Sequence, residues 1–149
     1  MNYLQDHLDT VQPRMETNLK QMSHLVDREQ ALFELRTTIC SASRQYGATR
    51  ALAEIFNPNT DLFVGMNLRM VEDFQRRLGH KKFLYSTINT VNTDGLRGRQ
   101  EVKSMTRIFM DVSMSSMLGR NTKIVRRTMQ MLDEFMALLG NPNVIFVVV

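Results

Sequence analysis

The feature that most constrains this chain is a long stretch without glycine or internal proline, from Pro13 to Tyr46. Proline suits the first turn of a helix, where its missing N–H has no partner to lose, and the residues that follow are mostly compatible with a helix. At about 1.5 Å per residue such a helix is roughly 50 Å long, whereas a compact chain of this length is about 30 Å across. We therefore expect the helix to project from the molecule or to lie along a partner.

Apolar residues recur at heptad spacing along this stretch and back to the start of the chain. Together with one asparagine they form the seam Leu4, Leu8, Val11, Met15, Asn18, Met22, Leu25, Leu32 and Ile39. Sustained heptads indicate coiled-coil packing, in which a single polar residue such as Asn18 can fix the register and the number of copies. We predict a homo-oligomer held by these residues. The alternative is a bundle helix kept inside one domain.

Four glycines follow apolar-periodic stretches and indicate helix ends: Gly47, Gly79, Gly119 and Gly140. Glycine enters the left-handed conformation at little steric cost and is therefore common just past a helix. Beyond residue 47 the pattern predicts helices at about 48–56, 60–78, 99–118 and 122–139. Residues 83–91 are compatible with either a strand or an irregular helical turn.

The three longer helices are predicted from their apolar stripes. The first stripe is Phe63, Met66, Met70, Phe74 and Leu78. The second is Val102, Met105, Phe109, Val112 and Ser116. The third is Val125, Met129, Leu132, Met136 and Leu139.

The predicted fold class is all-α, with a long N-terminal coiled-coil-like helix, a small helical bundle and a short C-terminal β-prone tail. The corresponding segments are residues 1–47 for oligomerisation, 48–140 for the bundle and 141–149 for the tail. The tail ends in an uncharged β-prone run, residues 144–149. Such a run is aggregation-prone unless it is buried or paired, so we expect it to be packed away within the chain or to pair as a strand, either with residues 83–91 or with another chain.

Positive charge is concentrated in one part of the sequence. The net charge is +4, but residues 76–127 hold twelve basic residues against three acidic ones. Such a zone is typical of a phosphate-binding surface, although basic residues also favour helix C-termini and acidic surfaces of neighbouring subunits. The candidate contacts to nucleic acid or to an acidic protein surface are Arg76, Arg77, Lys81, Lys82, Arg97, Arg99, Lys103, Arg107, Arg120, Lys123, Arg126 and Arg127.

The sequence contains no recognisable catalytic or metal-binding motif. His7, His24 and His80 have no second ligand at metal spacing, and the single cysteine, Cys40, has no nearby histidine. Glycine-rich phosphate loops and nucleophile elbows are also missing. We therefore predict that the protein is not an enzyme and has no catalytic residues, no metal site and no cofactor.

The N-terminus lacks the basic start and apolar core of a signal peptide, and no apolar run reaches the roughly 20 residues of a membrane span. We expect an intracellular protein, soluble or within a large assembly such as a virion. The predicted function is that of a structural, self-assembling helical protein. Two alternatives stay open: a non-specific nucleic-acid-binding or packaging protein that uses residues 76–127, and a helical adaptor that binds another protein.

Overall fold

A parallel β-sheet lies at the centre of the molecule. The computed structural model describes residues 2–40, 47–79, 81–96, 100–112 and 122–149. Its strands are β1 (Thr37–Ile39), β2 (Asp61–Gly65), β3 (Leu84–Thr87), β4 (Arg107–Asp111) and β5 (Ile145–Val148). They form one sheet in the order β1-β5-β4-β2-β3, with every neighbouring pair parallel. The prediction of an all-α fold is therefore wrong, and the chain has a mixed α/β fold.

Helices cover both faces of this sheet. They are α1 (Tyr3–Met22), α2 (Arg28–Gln30), α3 (Ala48–Ile55), α4 (Leu68–Arg77), α5 (Ile88–Asp94) and α6 (Thr122–Leu138). Side chains of α1, α3 and α4 pack against strand residues such as Phe63, Phe109 and Val147. Side chains of α5 and α6 pack against Val64 and Met110 on the opposite face. The layer order is therefore helices, sheet, helices, as expected for a doubly wound parallel sheet.

The interior strands β2, β4 and β5 are mostly continuous apolar runs because both of their faces are buried. Every residue of β2 and of β5 is buried, as are the last four residues of β4. The helix predicted over residues 99–118 is wrong, since β4 and a 3₁₀ helix (Gln100–Ser104) occupy the described part of it. The helix predicted over residues 60–78 is also wrong in its first part, because β2 precedes α4.

The predicted N-terminal helix is not continuous. Helix α1 ends at Met22, and a 3₁₀ turn (Ser23–Leu25) follows it. The carboxylate of Asp27 then accepts the N–H of Gln30 and caps a new helix, which continues as the π-helical turns of Ala31–Leu35. Strand β1 begins shortly afterwards. The predicted coiled-coil-like helix from Pro13 to Tyr46 is therefore wrong; residues 41–46 lie outside the described part of the chain.

The C-terminal segment is a strand inside the sheet. Strand β5 pairs with β1 on one side and with β4 on the other, so the prediction of a β-prone tail is confirmed. Its predicted pairing with residues 83–91 is wrong, since β3 lies at the far edge beside β2. The three predicted segments 1–47, 48–140 and 141–149 thus all contribute strands to one sheet. No helix among the described residues has the length and apolar character needed to cross a membrane.

Candidate functional site

The direction of winding changes between β2 and β4. From β2 the chain crosses through α4 to β3, whereas from β4 it crosses through α6 to β5 on the other side of the sheet order. Helices α4 and α6 cover opposite faces of the sheet. The connections that leave the carboxyl ends of β2 and β4 therefore run to opposite faces. Parallel sheets bind ligands in the crevice at such a switch point. Functional side chains are therefore expected at this edge of the sheet.

Three strand ends lie in register at this edge. Gly65 of β2 is paired with Thr87 of β3 on one side and with Asp111 of β4 on the other. A Cβ atom at Gly65 would lie 3.3 Å from the Phe63 ring and 3.4 Å from the carbonyl oxygen of Asn67. The absence of a side chain therefore allows the chain leaving β2 to turn closely over the strand end and start α4.

Asp111 is the buried acidic residue of this edge, with only 6% of its surface exposed. The hydroxyl of Thr49, in the first turn of α3, donates a hydrogen bond to its Oδ2 atom at 2.8 Å. Burial raises the pKa of the Asp111 carboxyl above 3.8; the bond from Thr49 acts in the opposite direction, and the charge of Asp73 raises the pKa further. Ionisation of Asp111 is therefore less favourable than that of a solvent-exposed aspartate.

A cavity of about 300 Å³ lies between α3 and α4, beside the residue whose hydroxyl is bonded to Asp111. Its lining contains Thr49, the residue bonded to Asp111, and Asn67, whose side chain accepts the Met70 N–H and caps α4. Asp73 also lines the cavity and forms an ion pair with Arg76 at 3.4 Å. The cavity is therefore lined mainly by polar side chains, and three of them, Arg69, Asp73 and Arg76, are charged residues of α4.

The chemistry available at this edge is that of oxygen ligands. The described residues contain no group of three or more histidine, cysteine or acidic side chains that could hold a metal ion. A cation here would therefore be bound by Asp111, the Thr49 hydroxyl and water, since both carboxylate oxygens of Asp73 are paired with Arg76 and Arg77. Ions of the magnesium class accept one or two carboxylates and keep several waters, whereas a structural zinc site needs four protein ligands, usually with nitrogen or sulfur donors.

The predicted oligomerisation residues are divided among several elements. Leu4, Leu8 and Met15 are buried in the molecule's own core beneath α1, and Leu32 is buried on the other face of the sheet. Val11 and Asn18 are half-buried. Those with the largest exposure are Met22, Leu25 and Ile39, at 41%, 69% and 43%. The structure therefore does not bring the predicted seam together as one exposed stripe.

The predicted basic zone is likewise divided between the two layers and the edges of the sheet. Arg76 and Arg77 end α4, whereas Lys123, Arg126 and Arg127 lie on α6 in the opposite layer. Lys81, Lys82 and Lys103 are exposed, and Arg107 at the start of β4 is engaged with buried Asp61 through two 2.9 Å bonds. Arg97, Arg99 and Arg120 lie outside the described residues. Only parts of the predicted zone can therefore act as one surface.

Sequence reasoning missed Asp111 because it lies in the helix predicted over residues 99–118, and it missed Gly65 because it lies in the helix predicted over residues 60–78. A signal for Asp111 was present: an apolar run, Ile108-Phe109-Met110, ends directly in an aspartate, and serines follow at positions 113, 115 and 116. An abrupt change from buried apolar residues to small polar ones is typical of the carboxyl end of a parallel strand. The interaction of Asp111 with Thr49 has no comparable signal, since 62 positions separate them.

The chain matches no protein-family model, and comparison with curated proteins and with solved structures finds no significant match.

Proposed function

We propose that this protein is a non-enzymatic binding module that holds a divalent cation of the magnesium class at the crevice between β2 and β4. The observation that carries the proposal is Asp111, a carboxyl group that is 6% exposed at the end of the central strand. Burying a carboxylate without a counter-charge is energetically costly. Ionisable groups with a shifted pKa cluster at functional sites, where their charge interacts with a ligand. A bound cation offsets both influences that raise the pKa, namely burial and the nearby charge of Asp73.

The neighbouring groups support a cation with oxygen preference. The Thr49 hydroxyl lies 2.8 Å from Asp111. The cavity beside Thr49 is lined by Asn67 and Asp73, and also by Arg69 and Arg76. Carboxylate, amide and hydroxyl oxygens suit magnesium, calcium or manganese better than zinc or copper. The cavity leaves room for water or for an oxygen-bearing ligand beside the cation.

The structural role predicted from the sequence stays a prediction. It was based on a continuous helix, whereas α1 ends at Met22 and buries Leu4, Leu8 and Met15 within the same chain. Any self-assembly would therefore use other surfaces than a coiled-coil seam. The alternative of a helical adaptor is compatible with a module that binds a cation. The partner protein would then bind at the crevice between β2 and β4.

The proposal is tested by thermal unfolding and by manganese-induced NMR line broadening during titration with Mg²⁺, Mn²⁺ or Ca²⁺ at constant ionic strength. A cation that binds only the folded state stabilises it by about 1.4 kcal/mol at ten times its Kd. We expect saturable stabilisation, and broadening that centres on Thr49, Gly65 and Asp111. Asp111→Asn should abolish both effects. Asp94→Asn, an exposed carboxylate on α5, should retain them as the matched control.

The proposal fails if millimolar divalent cations give no saturable effect on the native chain. It also fails if Asp111→Asn responds to the cations as the native chain does, since the bound ion would then lie elsewhere.

A further inference from the structure

One edge of the molecule carries a row of basic side chains. Arg69, Arg76 and Arg77 project from α4, and Lys81 and Lys82 precede the edge strand β3. We call these five residues the α4–β3 basic strip. Helix α4 buries Val71 and Phe74 against the sheet, so its opposite side faces solvent. Since α4 packs against β3 as well as β2, the strip follows the outer helix to the sheet edge.

The charge of the strip is only partly compensated. Asp73 pairs with Arg76 and Arg77 at 3.4 and 3.1 Å. Arg69, Lys81 and Lys82 are exposed and form no ion pair within the described parts of the chain. Arg69 also occupies the first turn of α4, where a basic residue is unfavourable beside the positive end of the helix dipole. This end of α4 therefore presents uncompensated positive charge.

An aromatic side chain lies at the same edge. Tyr85 of β3 is 37% exposed, and its ring centroid lies 5.4 Å from that of Phe83. Phe83 in turn packs on Phe74 of α4, so the Tyr85 ring is supported from beneath. A partly exposed ring of this kind can stack on an unpaired base. The basic residues of α6 lie on the opposite helical layer and belong to a different surface.

We propose that the α4–β3 basic strip binds single-stranded nucleic acid, with backbone phosphates along the arginines and lysines and a base against Tyr85. Helix α4 is about 15 Å long at 1.5 Å per residue, which spans only a few nucleotides of an extended strand. A narrow row of cations beside an aromatic ring fits one flexible strand, and every base offers a face for stacking. The strip shares Arg69 and Arg76 with the lining of the cavity beside Thr49, but the inference does not require a cation at Asp111.

The test is fluorescence anisotropy with labelled DNA and RNA strands of about twelve nucleotides, a length typical of such sites. The full chain is titrated at several salt concentrations from about 50 mM upwards. Three to five phosphate contacts predict that log K falls with log salt at a slope of roughly −2 to −3.5. Neutralising Arg69, Lys81 and Lys82 together by glutamine should weaken binding by at least about tenfold and make the slope shallower by about 2.

A matched variant separates this strip from general charge. Lys103→Gln, Lys123→Gln and Arg127→Gln together remove the same charge from exposed positions outside the strip, and this variant should keep most of the affinity. Tyr85→Leu should weaken binding about fivefold or more without changing the salt slope, because stacking contributes about 1 kcal/mol or more per base. All these substitutions are at the surface, so circular dichroism should show folded proteins.

Three outcomes overturn the inference. The first is no binding at about 50 mM salt, where phosphate contacts are strong. The second is an equal loss of affinity in the matched variant. The third is that polyglutamate of the same charge binds as tightly as the oligonucleotide and that Tyr85→Leu leaves the affinity unchanged. This result would indicate an acidic protein partner instead.

Discussion

The guanidinium of Arg36 and the carboxylate of Asp133 form a buried ion pair, with 2.7 Å between Nη1 and Oδ1. Their side chains are 2% and 4% exposed. Arg36 lies just before β1 and also donates to the carbonyl oxygen of Val144 at 3.2 Å, whereas Asp133 belongs to α6. Arg28 adds a second, more exposed partner for Asp133 at 3.0 Å. This pair therefore fixes the edge strand and the segment before it to the helix that covers the sheet.

Removing one partner of this pair should strongly destabilise the fold. Asp133→Asn leaves the Arg36 cation buried without a counter-charge, which typically costs about 3–5 kcal/mol. We expect a loss of this size in the free energy of unfolding measured by urea denaturation. Arg28→Gln is the control, since its side chain is 44% exposed and exposed pairs contribute about 1 kcal/mol or less. Equal losses in the two variants would contradict a dominant role for the Arg36 contact.

The ionisation of Asp111 should make stability depend on pH in a defined direction. Its pKa in the folded state is raised above the ordinary value of 3.8, mainly by burial. At a pH between 3.8 and the folded-state pKa, the folded chain therefore keeps a proton that the unfolded chain has lost. The contribution of this group to stability is therefore greatest below pH 3.8 and falls as pH rises through the folded pKa. Asp111→Asn, which cannot ionise, should gain stability relative to the native chain between acidic and neutral pH.

The measurement is the free energy of unfolding of both chains from pH 3 to pH 7 in the presence of a chelator. Subtracting the same series for Asp94→Asn removes the general effect of losing one negative charge. A difference between the Asp111→Asn and native chains that is constant across the whole range would contradict a raised pKa at this site.

The glycine at the end of α6 should be sensitive to substitution for a backbone reason alone. Gly140 has φ of 85°, and a Cβ atom there would meet nothing within 4 Å. Gly140→Ala should therefore cost about 1–2 kcal/mol through the left-handed conformation. Gly140→Asn should recover part of this loss, because asparagine tolerates that conformation better. Thermal unfolding of the two variants checks the order; an alanine variant as stable as the native chain would contradict it.

Sequence could predict the elements whose signals are local. Gly79 and Gly140 have positive φ just past α4 and α6, as glycine punctuation predicts. Helix α6 buries Val125, Met129, Leu132 and Met136. These residues belong to the apolar stripe that the 3.6-residue helical period predicts. The terminal strand was also predicted, because six consecutive uncharged residues rich in valine favour extended structure.

The interior strands could not be separated from helices in the same way. Leu62-Phe63-Val64 and Ile108-Phe109-Met110 are buried on both faces, so they lack the alternation that identifies a strand. Phe63 could be fitted into a helical stripe with Met66 and Met70, and Phe109 into one with Met105 and Val112. Because β2 and β4 were not predicted as strands, the switch point between them and the site at Asp111 were not predicted either. The break after Met22 was missed as well, because no glycine or proline marks it.

The apolar seam of the N-terminal segment makes a final prediction that separates core packing from self-assembly. Leu8 is 1% exposed in the core beneath α1, whereas Leu25 is 69% exposed after α1 ends. If the seam serves this chain's own core, Leu8→Ala should cost about 2–5 kcal/mol of unfolding free energy, and Leu25→Ala should change it by no more than about 0.5 kcal/mol. Light scattering at several protein concentrations should give the same mass for the native chain and the Leu25→Ala variant. A native oligomer that dissociates on Leu25→Ala would show that this residue lies in an interface between copies, and that the seam acts between chains rather than within one.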